Sequence, residues 1–264
     1  MQVFDGRKYA LELEETMKKY SLDKTLAIVQ VGENAGSEKY IKLKKALCDK
    51  LSISSQAIKI EETLSDSSIF DKVRAIFSQE SIGGGIIQLP LPRKSLHGIL
   101  DLIPKEKDLD LLSNMAKKDF FGNKSALTPP VVRAFQFFLD KTSLDVRNMK
   151  VAVVGYGELV GKPIVHFLKT QGAKVETIQK YTHGTSVFCQ LAVLSAGVAG
   201  MFDSRDLPDN CNVVDFGSSV INGKTVGDLD LRADDTERLG AVSMSPGGMG
   251  PLVVRFLIMN FLGL

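Results

Sequence analysis

The chain has 264 residues, of which 44% are hydrophobic, and this is enough for one large or two medium domains with their own cores. Lys and Arg number 33 against 31 Asp and Glu, and no concentrated basic tract stands out, so nucleic acid is not expected as a partner. The three cysteines and three histidines lack the spacing of metal ligands, which predicts no bound metal and a reducing, cytoplasmic location.

The first half of the chain alternates helical and strand patterns. Acidic residues near the amino terminus occupy the place where an export signal would need an apolar core. The predicted elements are a helix in 5–20, a strand at 25–31, a helix over 38–51, a strand at 56–60, a helix capped by SDSS at 65–68 and reaching Gln79, and a strand that ends in QLPLP at 88–92. This alternation predicts a parallel α/β sheet.

A polar segment from Lys105 to Pro130 separates this half from the next. It contains Gly122 and ends in two prolines, so we expect a hinge between two domains there. A helix over 131–141 follows it.

The most informative stretch is KVAVVGYGELVGKPIVHFLKTQGAKVETI, which runs from Lys150 to Ile178. An apolar strand leads into Gly155, Gly157 and Gly161, then a helix and a second strand, as in a βαβ unit that binds a dinucleotide. The glycines allow a tight turn and a close approach of backbone to a pyrophosphate. The spacing is GxGxxxG rather than GxGxxG, so a glycine turn that binds nothing remains the alternative.

Beyond this unit the pattern predicts strands in LAVLSAG and CNVVDFG, a hairpin at INGKT, and a loop SPGGMGP that opens a terminal helix. The apolar tract at 251–264 is too short to span a bilayer and contains Arg255 and Asn260, so no membrane span is expected.

Several side chains stand where a ligand site is expected. Tyr40 and Lys44 share a helix face at spacing i, i+4, with Ser37 in the loop just before it, although such a pair is usually only a solvated surface. Gln88 ends an apolar strand, and in open α/β sheets such carboxyl ends face the ligand crevice, although an ordinary strand-end residue is the alternative.

Two further motifs complete the set. KDLD places Asp108 and Asp110 after a proline, and PGGMGP at 246–251 forms a rigid loop that can present backbone to a ligand or simply open a helix. Neither motif decides the function alone.

Taken in order, these motifs resemble the bifunctional methylenetetrahydrofolate dehydrogenase/methenyltetrahydrofolate cyclohydrolase family. The resemblance covers nearly the whole chain. Its motifs are SxxYxxxK from Ser37 to Lys44, QLPLP at 88–92, KDxD at 107–110, Thr128 with Pro129, the glycine loop with Pro163, GxxVGDxD at 223–230 and PGGxGP at 246–251.

The resemblance implies an N-terminal α/β catalytic domain and a Rossmann-like dinucleotide-binding domain, with the carboxy-terminal helix returning to the first. The expected boundaries are 1–123 plus 246–264 for the folate-binding domain and 124–245 for the dinucleotide-binding domain. It implies oxidation of 5,10-methylenetetrahydrofolate with a nicotinamide cofactor and hydrolysis of the methenyl product to 10-formyltetrahydrofolate, in one-carbon metabolism. It also implies a homodimer.

The resemblance further assigns roles to the matching residues. Lys44 assists proton movement and water attack, Gln88 tunes Lys44, Tyr40 stacks on the folate rings, and Asp110 receives the pterin amino and ring N–H groups. The remaining expected folate contacts are Ser37, Pro246, Gly247 and Gly248. The expected cofactor contacts are Gly155, Tyr156, Gly157, Gly161, Lys180 and Thr128.

The chain departs from the family pattern in two places. Where GRSxxVGxP is usual, Tyr156 and Gly157 replace the arginine and serine, of which the arginine would approach a 2′-phosphate. Gln179 stands where NAD-selective folds usually carry a carboxylate, and Lys180 follows it, so NADP is favoured and NAD remains open. Near the substrate, Leu111 replaces a glycine and does not easily adopt a positive φ.

Three hypotheses follow. The first is the bifunctional folate enzyme. The second is a cyclohydrolase whose dehydrogenase has decayed, and the third is a non-catalytic folate or nucleotide binder that regulates a partner.

Overall fold

The computed structural model describes residues 1–231 and 237–264. The helices are α1 (Gly6–Met17), α2 (Ala35–Lys50), α3 (Asp66–Phe77), α4 (Asn114–Phe121), α5 (Pro130–Thr142), α6 (Gly161–Thr170) and α7 (Met249–Leu262). The strands are β1 (Gln2–Val3), β2 (Thr25–Val31), β3 (Ser55–Ile60), β4 (Ile82–Ile87), β5 (Lys150–Val154), β6 (Lys174–Ile178), β7 (Leu191–Leu194), β8 (Phe202–Asp203), β9 (Asn212–Asp215), β10 (Ser219–Ile221), β11 (Lys224–Val226), β12 (Leu229–Asp230) and β13 (Ala241–Ser243).

The chain folds into two compact units. Unit A comprises Leu13–Pro130 with Val254–Leu264, and unit B comprises Met1–Glu12 with Val131–Val253. The amino terminus belongs to unit B because β1 pairs in parallel with β13. The predicted return of the carboxy-terminal helix to the first domain is confirmed for the residues from Val254 onward. The functional boundaries at 123 and 245 stay a prediction.

Unit A is built on a parallel sheet of order β3-β2-β4. The central strand β2 is buried on both faces, as expected for a parallel strand covered by helices on each side. Ala27 and Val29 pack with α3, whereas Leu26 and Ile28 face the opposite way, in a cluster that contains residues of α2 and α7. Every second side chain of β2 therefore points toward α2.

Unit B contains a six-stranded parallel sheet of order β1-β13-β9-β7-β5-β6. The chain passes from β5 to β6 on one side and then to β7 on the other side of β5. Such a reversal of strand order opens a crevice at the carboxyl ends of the strands, where open α/β sheets bind ligands. The glycine-rich loop after β5 lies at this crevice.

Most predicted elements of the chain are confirmed within a few residues. The strand at 25–31 and the SDSS cap are confirmed, with the Ser65 side chain accepting the Ser68 N–H. Sequence reasoning missed α4 inside the polar segment, although Ser113 caps it by accepting the Ala116 N–H. It also began α2 three residues late, because Asn34 rather than a later residue supplies the N-cap.

A buried carboxylate of unit A pairs with cations from two other helices. Glu14 on α1 is 1% exposed and pairs with Lys50 on α2 and Arg255 on α7. Burial raises the pKa of Glu14, but the hydrogen bonds from Lys50 and Arg255 outweigh it and hold the pKa below its ordinary value. The folded state therefore favours the charged carboxylate.

We expect Glu14→Gln to lower the free energy of unfolding by about 3 kcal/mol, because two cations lose their buried partner. Glu14 contributes stability above its unfolded pKa and loses it as the pH falls through the lowered folded value, so the variant should also unfold with a weaker acid dependence. Urea titrations at several pH values measure both effects. The control is Glu15→Gln, an exposed carboxylate that pairs with Lys18; an equal loss in both variants would contradict the assignment.

No helix in residues 1–231 and 237–264 combines the length and apolar character that crossing a membrane requires.

Candidate functional site

The centre of the candidate site is a buried lysine in unit A. Lys44 is 8% exposed, and its Nζ donates to Oε1 of Gln88 over 2.9 Å. The Gln88 amide is itself oriented, because its Nε2 donates to the Leu89 carbonyl at 3.0 Å. The surface interpretation of Lys44 is therefore wrong, and the strand-end glutamine contacts it as a partner.

Burial and a neighbouring charge shift the pKa of the Lys44 amine in opposite directions. Burial lowers the pKa of Lys44, and the charge of Asp110 opposes that shift. Burial also raises the pKa of Asp110, with Lys44 lowering it and Asp108 raising it. An amine in this setting can hold or release a proton nearer neutrality than an exposed lysine does.

The structure brings the other predicted folate residues of unit A around α2. Ser37 lies in the first turn of α2 rather than in the preceding loop, and its buried hydroxyl donates to the Leu89 carbonyl at 3.0 Å. Tyr40 is half-buried one turn before Lys44, against the cluster that α2 shares with β2. Ser37 and Gln88 thus both hold the same carbonyl.

The two aspartates of KDLD have different partners. Asp108 is buried, and its carboxylate accepts the backbone N–H groups of Leu112 and Ser113 at 3.2 and 2.8 Å. Asp110 is half-buried and interacts with the charge of Lys44. Asp108 therefore holds the loop, and Asp110 remains the carboxylate available to a ligand.

Leu111 takes the backbone conformation that the missing glycine would have. Its φ is 55° and its side chain is 4% exposed. The left-handed region costs an L-residue about 1–2 kcal/mol, and burial of a leucine side chain offsets this by a similar amount. The replacement of glycine therefore leaves the turn in place, contrary to the expectation from conformational preference alone.

An asparagine on α7 was missed by sequence reasoning. The buried side chain of Asn260 donates through Nδ2 to the carbonyls of Leu109 and Thr128 at 3.1 and 3.0 Å. It anchors the residue that precedes Asp110 and also anchors Thr128, one of the predicted cofactor contacts, which lies in unit A. The signal was available, since a lone asparagine in an apolar helix usually has a buried partner.

In unit B, the glycine loop follows β5 as predicted. Gly155 has φ +91°, and a Cβ there would lie 2.6 Å from the Ser195 backbone. A Cβ on Gly161 would lie 2.3 Å from the Gly155 carbonyl oxygen. Both glycines are therefore required by the fold itself, because the loop and the start of α6 approach each other too closely for a side chain.

Gly157 differs from its two neighbours. A Cβ at Gly157 would meet nothing within 4 Å among the described residues. Tyr156, beside it, is 40% exposed, and the Lys162 ammonium lies 5.9 Å from its ring centroid while also pairing with Glu158. The protein leaves open space next to Gly157, which fits a phosphate group approaching the backbone.

The remaining predicted contacts are distributed as follows. Lys180 is exposed, as is Gln179 before it, and the two residues directly follow β6. Gly248 is packed by the fold, since a Cβ there would lie 2.2 Å from the Ser243 hydroxyl, and Gly247 has φ +109°. Pro246 is exposed in the same loop, which belongs to unit B.

Two buried aspartates of unit B, which the sequence motifs contain without an assigned role, accept backbone hydrogen bonds. Asp228 is 0% exposed, and its carboxylate accepts the successive N–H groups of Ala196, Gly197 and Val198 at 2.6, 3.0 and 2.9 Å. Asp215 accepts the N–H of Asp228 at 3.2 Å, and burial raises the pKa of Asp215 to about 6. Together they shape the loop after β7, which borders the crevice.

Because the fold does not need a glycine at position 157, we expect Gly157→Val to change the free energy of unfolding by less than about 0.5 kcal/mol. The same variant should raise the dissociation constant of a nicotinamide dinucleotide about tenfold or more, since the side chain fills the space beside the loop. Calorimetric titration and urea unfolding measure the two quantities.

Gly161→Val is the matched control and should destabilise the fold. Unchanged cofactor affinity in a folded Gly157→Val variant would show that the cofactor does not approach this loop.

Models of two related domains match the chain. Residues 4–110 match the catalytic domain of tetrahydrofolate dehydrogenase/cyclohydrolase, and residues 129–264 match the NAD(P)-binding domain of the same family. The matches together span most of the chain.

Individual proteins of the same family are also similar to this chain. The bifunctional protein FolD of Mycoplasma mobile is 31% identical over 273 residues, covering 99% of this chain and 96% of that protein. The bifunctional protein FolD of a Hydrogenobaculum species is 28% identical over 272 residues, with 99% and 98% covered.

Solved structures share the fold. The bifunctional FolD enzyme of Campylobacter jejuni superposes with a TM-score of 0.90 at 24% identity, over 100% of this chain and 98% of that one. The FolD enzyme of Trypanosoma brucei, solved with NADP and an inhibitor, gives 0.87 at 21% identity, over 98% and 95%. The predicted two-domain α/β fold is confirmed.

Proposed function

Since the chain belongs to the tetrahydrofolate dehydrogenase/cyclohydrolase family, we propose that it oxidises 5,10-methylenetetrahydrofolate to the methenyl form and hydrolyses that product to 10-formyltetrahydrofolate. The observation that carries the proposal is the buried Lys44, hydrogen-bonded to Gln88 and electrostatically coupled to Asp110. These are the side chains that the family resemblance assigns to catalysis.

Hydrolysis needs a water to lose a proton while it attacks the cationic methenyl carbon. The neutral amine of Lys44 can accept that proton, and burial favours the neutral form. The Gln88 Oε1 acceptor directs the amine, and the donor Nε2 of the same amide is occupied by the Leu89 carbonyl, so the amide cannot rotate without losing both bonds. Tyr40 supplies a half-buried ring on the same helix to stack on the folate.

Asp110 supplies an acceptor for the donor edge of the pterin. A carboxylate can accept two parallel N–H bonds from an amino group and a ring nitrogen. Ser37, Pro246, Gly247 and Gly248 are proposed as further folate contacts.

For the oxidation we propose NADP as the cofactor; a bound nicotinamide supplies a hydride acceptor. Gly155, Tyr156, Gly157 and Gly161 would hold the pyrophosphate region, with Thr128 as a further contact. Lys180, exposed just after β6, supports a 2′-phosphate because no carboxylate stands at Gln179 to repel it. The open space at Gly157 fits the pyrophosphate of the cofactor.

The test is to incubate the purified protein with 5,10-methylenetetrahydrofolate and either NADP or NAD, and to follow reduced nicotinamide by absorbance. We expect turnover with NADP and less with NAD. A separate assay supplies the methenyl compound and follows its hydrolysis.

The two assays separate the alternatives. Hydrolysis without reduction of either nicotinamide would single out a cyclohydrolase with a decayed dehydrogenase, which the exposed Tyr156 in place of the arginine favours as second candidate. Tight folate binding without either turnover would identify a non-catalytic binder.

We also propose a cytoplasmic homodimer that binds no nucleic acid. The near balance of charges and the odd number of cysteines support the location and the lack of a nucleic-acid partner. The dimer follows from the family resemblance, and sedimentation of the purified protein tests it.

A further inference from the structure

A second glutamine of unit A has no assigned role. Gln30 lies on β2 and is 6% exposed, and its Nε2 is buried without a hydrogen-bond partner among the described residues. A buried amide nitrogen left without a partner destabilises the folded state. Native proteins rarely keep such a group unless a ligand or water satisfies it.

Sheet register places Gln30 beside the lysine site. Val29 on β2 is opposite Ile87 on β4, and the Gln88 N–H donates to the Val29 carbonyl at 2.8 Å. Gln30 and Gln88 are therefore the next residues along two neighbouring strands, about 4.8 Å apart in the sheet.

The two glutamines also share a face. Ile28 and Ile86, each two residues earlier, both belong to the cluster that contains residues of α2 and α7. Because side chains alternate along a strand, Gln30 and Gln88 point to that same face. Gln88 meets Lys44 there, and Gln30 presents its amide at the adjacent position.

We infer that Gln30 is a substrate-binding residue of the folate site, whose side-chain NH₂ donates to the ring carbonyl oxygen of the pterin. The inference rests on the proposed function. A pterin ring offers N–H donors and a carbonyl acceptor along one edge. Asp110 can accept only from the donors, so the carbonyl requires a donor, and the Gln30 amide is an uncommitted donor next to Gln88 on the same sheet face.

The assignment predicts opposite effects on stability and binding. Gln30→Met keeps the length of the side chain and removes the unpaired amide, so the midpoint of urea unfolding of the ligand-free protein should rise. The dissociation constant for tetrahydrofolate, which carries no one-carbon bridge and undergoes no reaction, should increase about tenfold, as expected for one lost hydrogen bond. Calorimetric titration measures the binding.

Gln56→Met is the control, because Gln56 lies on the neighbouring strand β3 of the same sheet with an exposed side chain. It should alter neither quantity. A Gln30→Met variant that binds tetrahydrofolate as tightly as the wild type overturns the inference. So does a variant that is destabilised or fails to fold, since the amide would then have a structural partner.

The same titrations distinguish failure of the inference from failure of the proposed function. If the wild-type protein itself does not bind tetrahydrofolate, the proposed function falls and the inference falls with it. If the wild type binds and Gln30→Met binds equally, only the role of Gln30 is wrong.

Discussion

Replacing Lys44 by methionine is expected to reduce hydrolysis of methenyltetrahydrofolate about 1,000-fold, within the range that loss of a general base produces. The stability of the protein should not fall. Burial lowers the pKa of Lys44, so the unfolded chain binds this proton more tightly, and a charged Lys44 opposes folding. Stopped assays of hydrolysis and urea unfolding measure the two effects.

Lys45→Met is the matched control for this prediction. Lys45 is the next residue on α2, but its side chain is 49% exposed and pairs with Asp49 at 3.5 Å. The control should keep hydrolysis within about twofold of the wild type, as expected for a surface substitution. Hydrolysis by Lys44→Met at a rate close to that of the control would remove Lys44 from the mechanism.

The second large effect is expected at Asp110. Asp110→Asn should lower kcat/KM for the folate substrate about 100-fold, because two hydrogen bonds to a charged acceptor are weakened or lost. Steady-state kinetics with the methenyl compound measure it. The control is Asp71→Asn, an exposed carboxylate of α3 in the same unit, which should have no effect on turnover.

Asp110→Asn should also shift the pH profile of hydrolysis. The negative charge of Asp110 raises the pKa of Lys44, against the lowering by burial. Removing that charge lets the pKa of Lys44 fall further, so the rising limb of the profile should move to lower pH. A limb that stays in place or moves to higher pH would show that the two groups are not coupled.

Much of the fold follows from local patterns. The apolar run of β2 and the glycines after β5 are visible in the sequence because they reflect burial on both faces of a strand and close backbone approach. The helical spacing of Tyr40 and Lys44 also correctly places both residues on one helix.

Other features depend on contacts between distant segments. Pairing of β1 with β13 joins residues about 240 positions apart, and nothing in either short strand specifies the other. The positive φ of Leu111 contradicts the local preference of leucine, because burial of its side chain competes with that preference. Residue propensities alone cannot compare the cost of a positive φ with the gain from burying the Leu111 side chain, because burial depends on the folded chain.

The sequence by itself determined the family and the order of most elements, and it predicted Lys44, Gln88 and Asp110 as site residues, because motif spacing and periodicity are properties of a linear chain. Only the tertiary structure decided that a second glutamine, Gln30, lies buried on the same sheet face as Gln88. Gln88 is within 2.9 Å of the amine, whereas Gln30 leaves its nitrogen without a described partner. The physical reason is that a hydrogen bond depends on distance and direction between segments that only folding brings together.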